Sequence, residues 1–236
     1  MSISKLNPGY KGLTIFLISL ILSFEYNYYI NFSIFLISIL LMIISKVNIK
    51  KLCISFLPVI IMALGIFFTG YFYGSEEVST NINDMTKIVV TMENSESGLQ
   101  LSARVLAYAG LGFLFVYTTN PRHFILSLMQ QFKLSEKFAY GIMAAYNFIP
   151  IVKNEYRNIS YAYRARGVKR NLFMLPMLVT AIRASENIAM AMESKGFQVG
   201  SKRSQYVKLK VNKIDYLLLI FLPSLILFLV IKFKKL

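Results

Sequence analysis

The stretch LCISFLPVIIMALGIFFTGYFY, residues 52–73, decides the class of this fold. It holds no charged side chain, and about 20 such residues suffice for a helix to cross a bilayer core. Tyr71, Phe72 and Tyr73 close it with the aromatic belt expected at a membrane interface. Lys46, Lys50 and Lys51 lie just ahead of it, and an excess of cations marks the cytoplasmic side. Residues 74–97 are then expected outside, where Glu76, Glu77, Asp84, Glu93 and Glu96 face Lys87 alone.

Working outward, the rest of the chain has the same character. Hydrophobic residues make up 56% and charged residues 16%, well under the quarter usual in soluble domains, so the chain is an integral membrane protein. Two apolar stretches precede the first, GLTIFLISLILSF (12–24) and FSIFLISILLMIIS (32–45), with Glu25 and a tyrosine-rich run between them. A fourth span is expected over about 98–118, with Arg104 near the outer interface and able to snorkel. DYLLLIFLPSLILFLVI (215–231) reads as the last span. The N-terminus shows no small-residue cleavage site after its first apolar run and reads as retained. Five spans from a cytoplasmic N-terminus leave Lys232, Lys234 and Lys235 outside, against the charge rule. Either the tail breaks that rule or one early segment is not a simple span.

Residues 119–214 differ. The net charge of the chain is +15, and between Pro150 and Lys213 thirteen Lys/Arg stand against Glu155, Glu186 and Glu193. Such a patch can meet anionic lipid, nucleic acid or an acidic protein, and in a membrane protein much of it is expected simply from cytoplasmic placement. Asn120 and Pro121 suit a helix start. Phe124, Ile125, Leu128, Met129 and Phe132 then recur at helical spacing, giving an amphipathic helix that can lie on the membrane face or pack on its neighbours. Ser135 to Arg166 reads as one long helix with a kink at Pro150. Leu175–Lys195 reads as the next, with Pro176 in its first turn and small residues at Ala181, Ala184, Ser185, Ala189 and Ala191 that permit a close crossing.

These two helices end alike. Ala162-Tyr-Arg-Ala-Arg166-Gly167-Val168 and Ala191-Met-Glu-Ser-Lys195-Gly196-Phe197 share the order Ala, bulky, charged, small, cation, Gly, apolar. A glycine just past a helix closes it in the left-handed conformation, and a cation in the last turn is favoured by the helix dipole. Each end alone is ordinary capping. Two on adjacent helices offer paired cationic tips for a partner with two related grooves. Arg166 can grip a carboxylate bidentately, whereas Lys195 is a point charge.

The pair of tips resembles the transmembrane T-component of energy-coupling factor transporters, a branch of the ABC importers marked by two Ala-Arg-Gly motifs at the ends of cytosolic coupling helices. The first motif stands here as Ala165-Arg166-Gly167 and the second as Ser194-Lys195-Gly196. LNPGYKG (6–12), SGLQLSARVLAYAGLGFLFVYTTNP (97–121), YNFIPIVKNEYRNISYAYRARG (146–167) and IRASENIAMAMESKGF (182–197) extend the likeness over most of the chain. It implies an all-α integral membrane protein with about five transmembrane helices and two to three cytosolic coupling helices before the last span. The implied division is 1–118 as the N-terminal membrane domain, 119–214 as coupling helices, and 215–236 as the final helix and basic tail. By the resemblance, Ala165, Arg166, Gly167, Ser194, Lys195 and Gly196 would dock into two ABC ATPase subunits, with Arg164, Val168 and Phe197 supporting. A separate membrane subunit, the S-component, would bind a vitamin or a metal ion such as cobalt or nickel. This chain would carry no cofactor of its own, since ATP is bound by the partner subunits, and it would sit in the cell membrane. Asn147 stands where the family often has arginine, and no role is carried to it.

Other chemistries find less footing. A membrane-anchored phosphotransferase needs aspartates at helical spacing to hold metal, and the chain has only Asp84 and Asp215, far apart. There is no G-x-x-x-x-G-K-[ST] loop for ATP. A lone Cys53 and a lone His123 rule out a disulfide and a histidine-rich metal site. The expected lot for Cys53 is an inert thiol, buried or facing lipid. A self-contained carrier places ionisable groups within its spans, and only Glu25 and Arg104 approach that, near span ends. No nucleic-acid-binding signature occurs in the basic region.

Overall fold

The computed structural model describes residues 6–25, 27–73, 94–167, 174–197 and 206–234. Among these every regular element is a helix: α1 (Pro8–Ser23), α2 (Tyr28–Ile44), α3 (Ile49–Tyr73), α4 (Asn94–Thr118), α5 (Pro121–Gln131), α6 (Glu136–Ala165), α7 (Met174–Ser194) and α8 (Lys213–Lys234). Most of the acidic segment expected outside, with Glu76, Glu77, Asp84, Lys87 and Glu93, lies outside the described residues, as does Val168. The chain divides into two compact units, one with α1–α4 and α8, the other with α5–α7.

In the first unit α4 is the central post, packed by α1, α2 and α3, while α8 rests on α1. Small residues on α4 let the others approach. A Cβ built on Gly98 would stand 2.7 Å from the Phe67 carbonyl oxygen of α3, and one on Gly70 would stand 2.6 Å from Gly98 Cα. Gly110 likewise sits against Ser38 and Phe35 of α2. Close backbone approach of this kind is how helices associate in lipid, where burial of apolar surface offers little drive. Large apolar side chains such as Leu36, Leu40, Ile43, Ile54, Ile61 and Phe228 point outward instead, the reverse of a soluble core. Cys53 is exposed on α3 with them.

Among the described residues three helices are long and apolar enough to cross a membrane, Ile49–Phe72, Glu96–Thr118 and Lys213–Lys232. Helices α1 and α2 are apolar but shorter, 16 and 17 residues, on the order of 25 Å at 1.5 Å per residue against a core of about 30 Å. Capping sets their length. Asn7 accepts from the Gly9 N–H at 3.2 Å to start α1, and Asn27 accepts from the Tyr29 N–H at 3.0 Å to start α2. Between them the buried Glu25 accepts from the Asn27 N–H at 3.1 Å. Arg104 of α4 donates to the Glu25 carbonyl at the α1–α2 turn at 2.7 Å.

A polar clasp joins the first and last helices of this unit. Asp215, 3% exposed, accepts from the backbone N–H of Asn7 at 3.1 Å and of Asn212 at 2.9 Å. Tyr10 and Tyr216 meet beside it, hydroxyl to hydroxyl at 3.0 Å. Asp215→Ala strands two backbone donors, each costing about 1–3 kcal/mol when buried. Thermal melting of the purified chain in detergent is expected to show a clear loss for Asp215→Ala and a smaller one for Asp215→Asn, which keeps one acceptor. Equal melting of wild type and Asp215→Ala would show the clasp to be idle.

In the second unit α5 packs on α6 through Ile125, Met129 and Ala139. Of the five apolar positions expected to form one face of α5, Ile125 and Met129 are buried and Phe132 is exposed. The α5 helix closes through Lys133, whose φ is 54°, with the Leu134 N–H donating to Leu128 O at 3.2 Å. The α6 helix runs as one element through Pro150, and α7, which packs on α6, buries none of its residues fully.

Candidate partner-docking site

Both glycine-closed ends form as the sequence pattern predicts. At the end of α6, Gly167 has φ of 67° and its N–H donates to Arg164 O at 3.1 Å, while the Arg166 N–H donates to Ala162 O at 3.2 Å. At the end of α7, Gly196 has φ of 76°, its N–H donates to Glu193 O at 2.8 Å, and the Phe197 N–H reaches back to Met192 O at 2.9 Å. That crossed pair of bonds is the Schellman closure. Among the described residues no atom lies within 4 Å of a Cβ built on either glycine, so backbone conformation and not crowding is what asks for glycine there.

Gly196→Ala is therefore expected to cost about 1–2 kcal/mol locally, the penalty for an L-residue in the left-handed region. Opening of the α7 end should raise amide exchange at Phe197 roughly tenfold, as that energy implies. Unchanged protection would mean the closure does not depend on the glycine.

The candidate docking side chains sit on these caps. Arg164, Ala165, Arg166, Gly167, Ser194, Lys195 and Gly196 are all exposed. Ser194 folds its hydroxyl onto Ala191 O at 3.0 Å, so it finishes the turn and leaves the cation to protrude. Phe197 is half-buried, its ring edge-on to Tyr140 at 5.6 Å. The first tip carries Arg164 beside Arg166, whereas the second carries the acid Glu193 two residues before Lys195. The tips thus differ in local charge as well as in the shape of their lead cation.

Phe197 on Tyr140 also fixes where the tips lie. Tyr140 is in the second turn of α6, while the start of α7 lines a cleft with Phe148, Val152 and Glu155 further along it. The two helices therefore run in opposing directions, and their tips point away from each other. From Tyr140 to Arg166 is 26 residues of α6 and its cap, roughly 39 Å at 1.5 Å per residue. Two cations that far apart would need two separate grooves, not one.

Other positioning contacts were not legible beforehand. Arg122 of α5 donates to Asn147 Oδ1 of α6 at 2.9 Å, which gives Asn147 a bracing part. Gln130 donates to Val207 O at 2.7 Å and accepts from the Leu209 N–H at 2.9 Å, pinning the returning chain to α5. No local pattern signals either, because each joins residues distant in sequence. The exposed faces of α6 and α7 carry large apolar side chains, among them Phe138, Ile142, Ile149, Leu175, Leu178 and Ile182.

Comparison with known proteins gives one consistent likeness. Residues 1–207 match the family model described as CbiQ, cobalt transport protein. The chain is 26% identical over 234 residues to the energy-coupling factor transporter transmembrane protein EcfT of Thermosediminibacter oceani, covering 90% of this chain and 86% of that one. It is 24% identical over 191 residues to the protein of the same name from Listeria innocua, with 73% and 69% covered. With that of Macrococcus caseolyticus, identity is 28% over 155 residues, 57% and 58% of the two chains. Against several of these relatives the chain spans a little over half their length.

Proposed function

The chain belongs to the CbiQ cobalt transport protein family, and from that premise we propose that it is the transmembrane coupling subunit of an energy-coupling factor importer. In this reading α5–α7 are the coupling helices, and their two tips seat in two ABC ATPase subunits, one each. ATP-driven closure of the ATPases moves α6 and α7, and that motion reaches a separate membrane subunit holding the substrate, a vitamin or a metal ion. The observation that carries the proposal is the pair of glycine-closed ends, each displaying an exposed lead cation, at opposite ends of the α6–α7 pair. An ATPase dimer presents two equivalent grooves, and two separated tips suit it.

The apolar faces of α6 and α7 support the second contact. Soluble surfaces seldom expose contiguous patches of this kind, and where they do, a protein or membrane partner covers them. We assign them to the substrate-binding membrane subunit. Ala165, Gly167, Ser194 and Gly196 shape the tips, Arg166 and Lys195 make the lead contacts, and Arg164, Val168 and Phe197 support them.

The sidedness follows from charge. With Lys46, Lys50 and Lys51 inside, α3 leads out and α4 leads back, so the basic α5–α7 unit is cytoplasmic in a multi-pass protein of the cell membrane. Helices α1 and α2 count as a pair: whether both cross or both stop short, the parity of the later spans is the same. The C-terminal Lys232, Lys234 and Lys235 then fall outside in either case. A family of transport proteins also leaves no place for the phosphotransferase alternative.

Affinity purification of the tagged chain from native membranes tests the proposal. The expected result is recovery of two ABC ATPase polypeptides or a homodimer of one, with a further membrane protein. Recovery of the intact chain without any ATPase would refute it.

A further inference from the structure

The membrane unit holds a cleft of its own, lined by α1, α2, α4 and α8. Helix α1 leans on α8 and α4, and α2 leans on α4, so a space of about 520 Å³ opens between α1, α2 and α8. Its lining is almost wholly apolar, with Ile15, Ile37, Leu41, Leu222 and Leu225 as walls and Leu111 of α4 as floor. At one end the lining changes to Tyr10, Lys11 and Asp215.

Lys11 is the telling residue. It is only 8% exposed, and its ammonium donates to Thr118 Oγ1, a neutral hydroxyl that itself donates to Leu114 O. An ammonium has three N–H donors, so this bond leaves donors to spare. Among the described residues no carboxylate pairs with it. Asp215 lines the same end but commits one oxygen to the Asn7 N–H and the other to the Asn212 N–H. A buried charge without a counter-charge is costly, and such groups are normally paired. An apolar cleft ending in an uncompensated cation is complementary to a hydrocarbon chain ending in an anion.

We propose that this cleft binds one anionic phospholipid, with an acyl chain between α1, α2 and α8 and the phosphate at Lys11. The bilayer supplies this ligand in the leaflet level with Lys11. An anionic headgroup is favoured over a zwitterionic one because the choline of the latter already neutralises its own phosphate.

The test uses the full chain purified in detergent, stripped of lipid and offered phosphatidylglycerol or phosphatidylcholine of identical chains, with native mass spectrometry as the readout. Wild type should retain one phosphatidylglycerol, with a preference over phosphatidylcholine of about tenfold, because only its headgroup brings a net negative charge to the buried ammonium. Lys11→Met keeps the stem, loses the charge and should bring that ratio to about one. Leu222→Trp, which fills the cleft and touches no charge, should lower retention of both lipids. Equal retention of the two lipids by wild type would overturn the proposal, and that comparison needs no variant to fold. So would an unchanged preference in Lys11→Met, or displacement of the lipid by inorganic phosphate, which would mark a bare anion site. A lipid-free whole complex in which a partner helix crosslinks into the cleft would overturn it too.

Discussion

Arg166→Glu is expected to abolish ATP-driven uptake while leaving the chain folded and inserted. Arg166 is exposed beyond the end of α6, and the bonds that close the helix there use backbone N–H groups, not its guanidinium. Its part in folding is therefore limited to the helix dipole, about 0.3–1 kcal/mol at an exposed site. In the proposed docked complex the same side chain would be desolvated against an acidic or carbonyl-lined groove. Breaking a buried charge pair across an interface costs about 2–5 kcal/mol, so ATPase retention should fall on the order of 100-fold. Uptake assays in membrane vesicles and ATPase recovery on the tagged chain read the two consequences separately. Normal uptake by Arg166→Glu would remove the coupling role from this tip. Lys195→Glu should act in the same direction. The loss should be smaller, because a lysine makes a point contact and Glu193 already lowers the local charge.

The second large effect lies in the membrane unit, at Gly98→Val. The side chain would enter a space bounded by the Phe67 carbonyl oxygen at 2.7 Å and the Tyr71 nitrogen at 3.3 Å. Both are backbone atoms of α3 and have no rotamer to move into. Overpacking where side chains can yield costs about 1–3 kcal/mol, and here the helices themselves must part. Gly112→Val, on the same helix, is the control, since nothing among the described residues lies within 4 Å of a Cβ there. Membrane abundance and melting temperature should drop sharply for Gly98→Val and hardly at all for Gly112→Val. Equal behaviour of the two would mean that the α3–α4 contact does not hold the unit together.

The sequence was most informative where the physics is local. Hydrophobic length placed α3 at 52–73 against an observed start at Ile49, and the glycine pattern placed both left-handed caps correctly. A helix cap depends on five or six consecutive residues, so it can be read without knowing the fold. The break between α1 and α2 was less clear, because tyrosines and asparagines suit either a helix or a turn there. Asn27 settles it by capping. What could not be read were partners from distant parts of the chain: Asp215 with Asn7, Gly98 with Gly70, Gln130 with Val207, Lys11 with Thr118. The partner of Arg104 was hidden for the same reason. A cation near an interface can reach water or a nearby carbonyl, and the Glu25 carbonyl comes into reach only because α4 stands beside the α1–α2 turn.

Site-specific crosslinking tests the central claim most directly. With Cys53→Ser as background, cysteines are placed one at a time at Arg166, at Lys195 and at the exposed Ile54 of α3. Each is then joined to its neighbour in native membranes, and the captured chain is identified by peptides that span its ATP-binding loop. The account predicts that positions 166 and 195 each capture an ABC ATPase, that together they capture two copies or two paralogues, and that position 54 captures none. Failure of both tip positions to capture an ATPase in a membrane that supports uptake would contradict it.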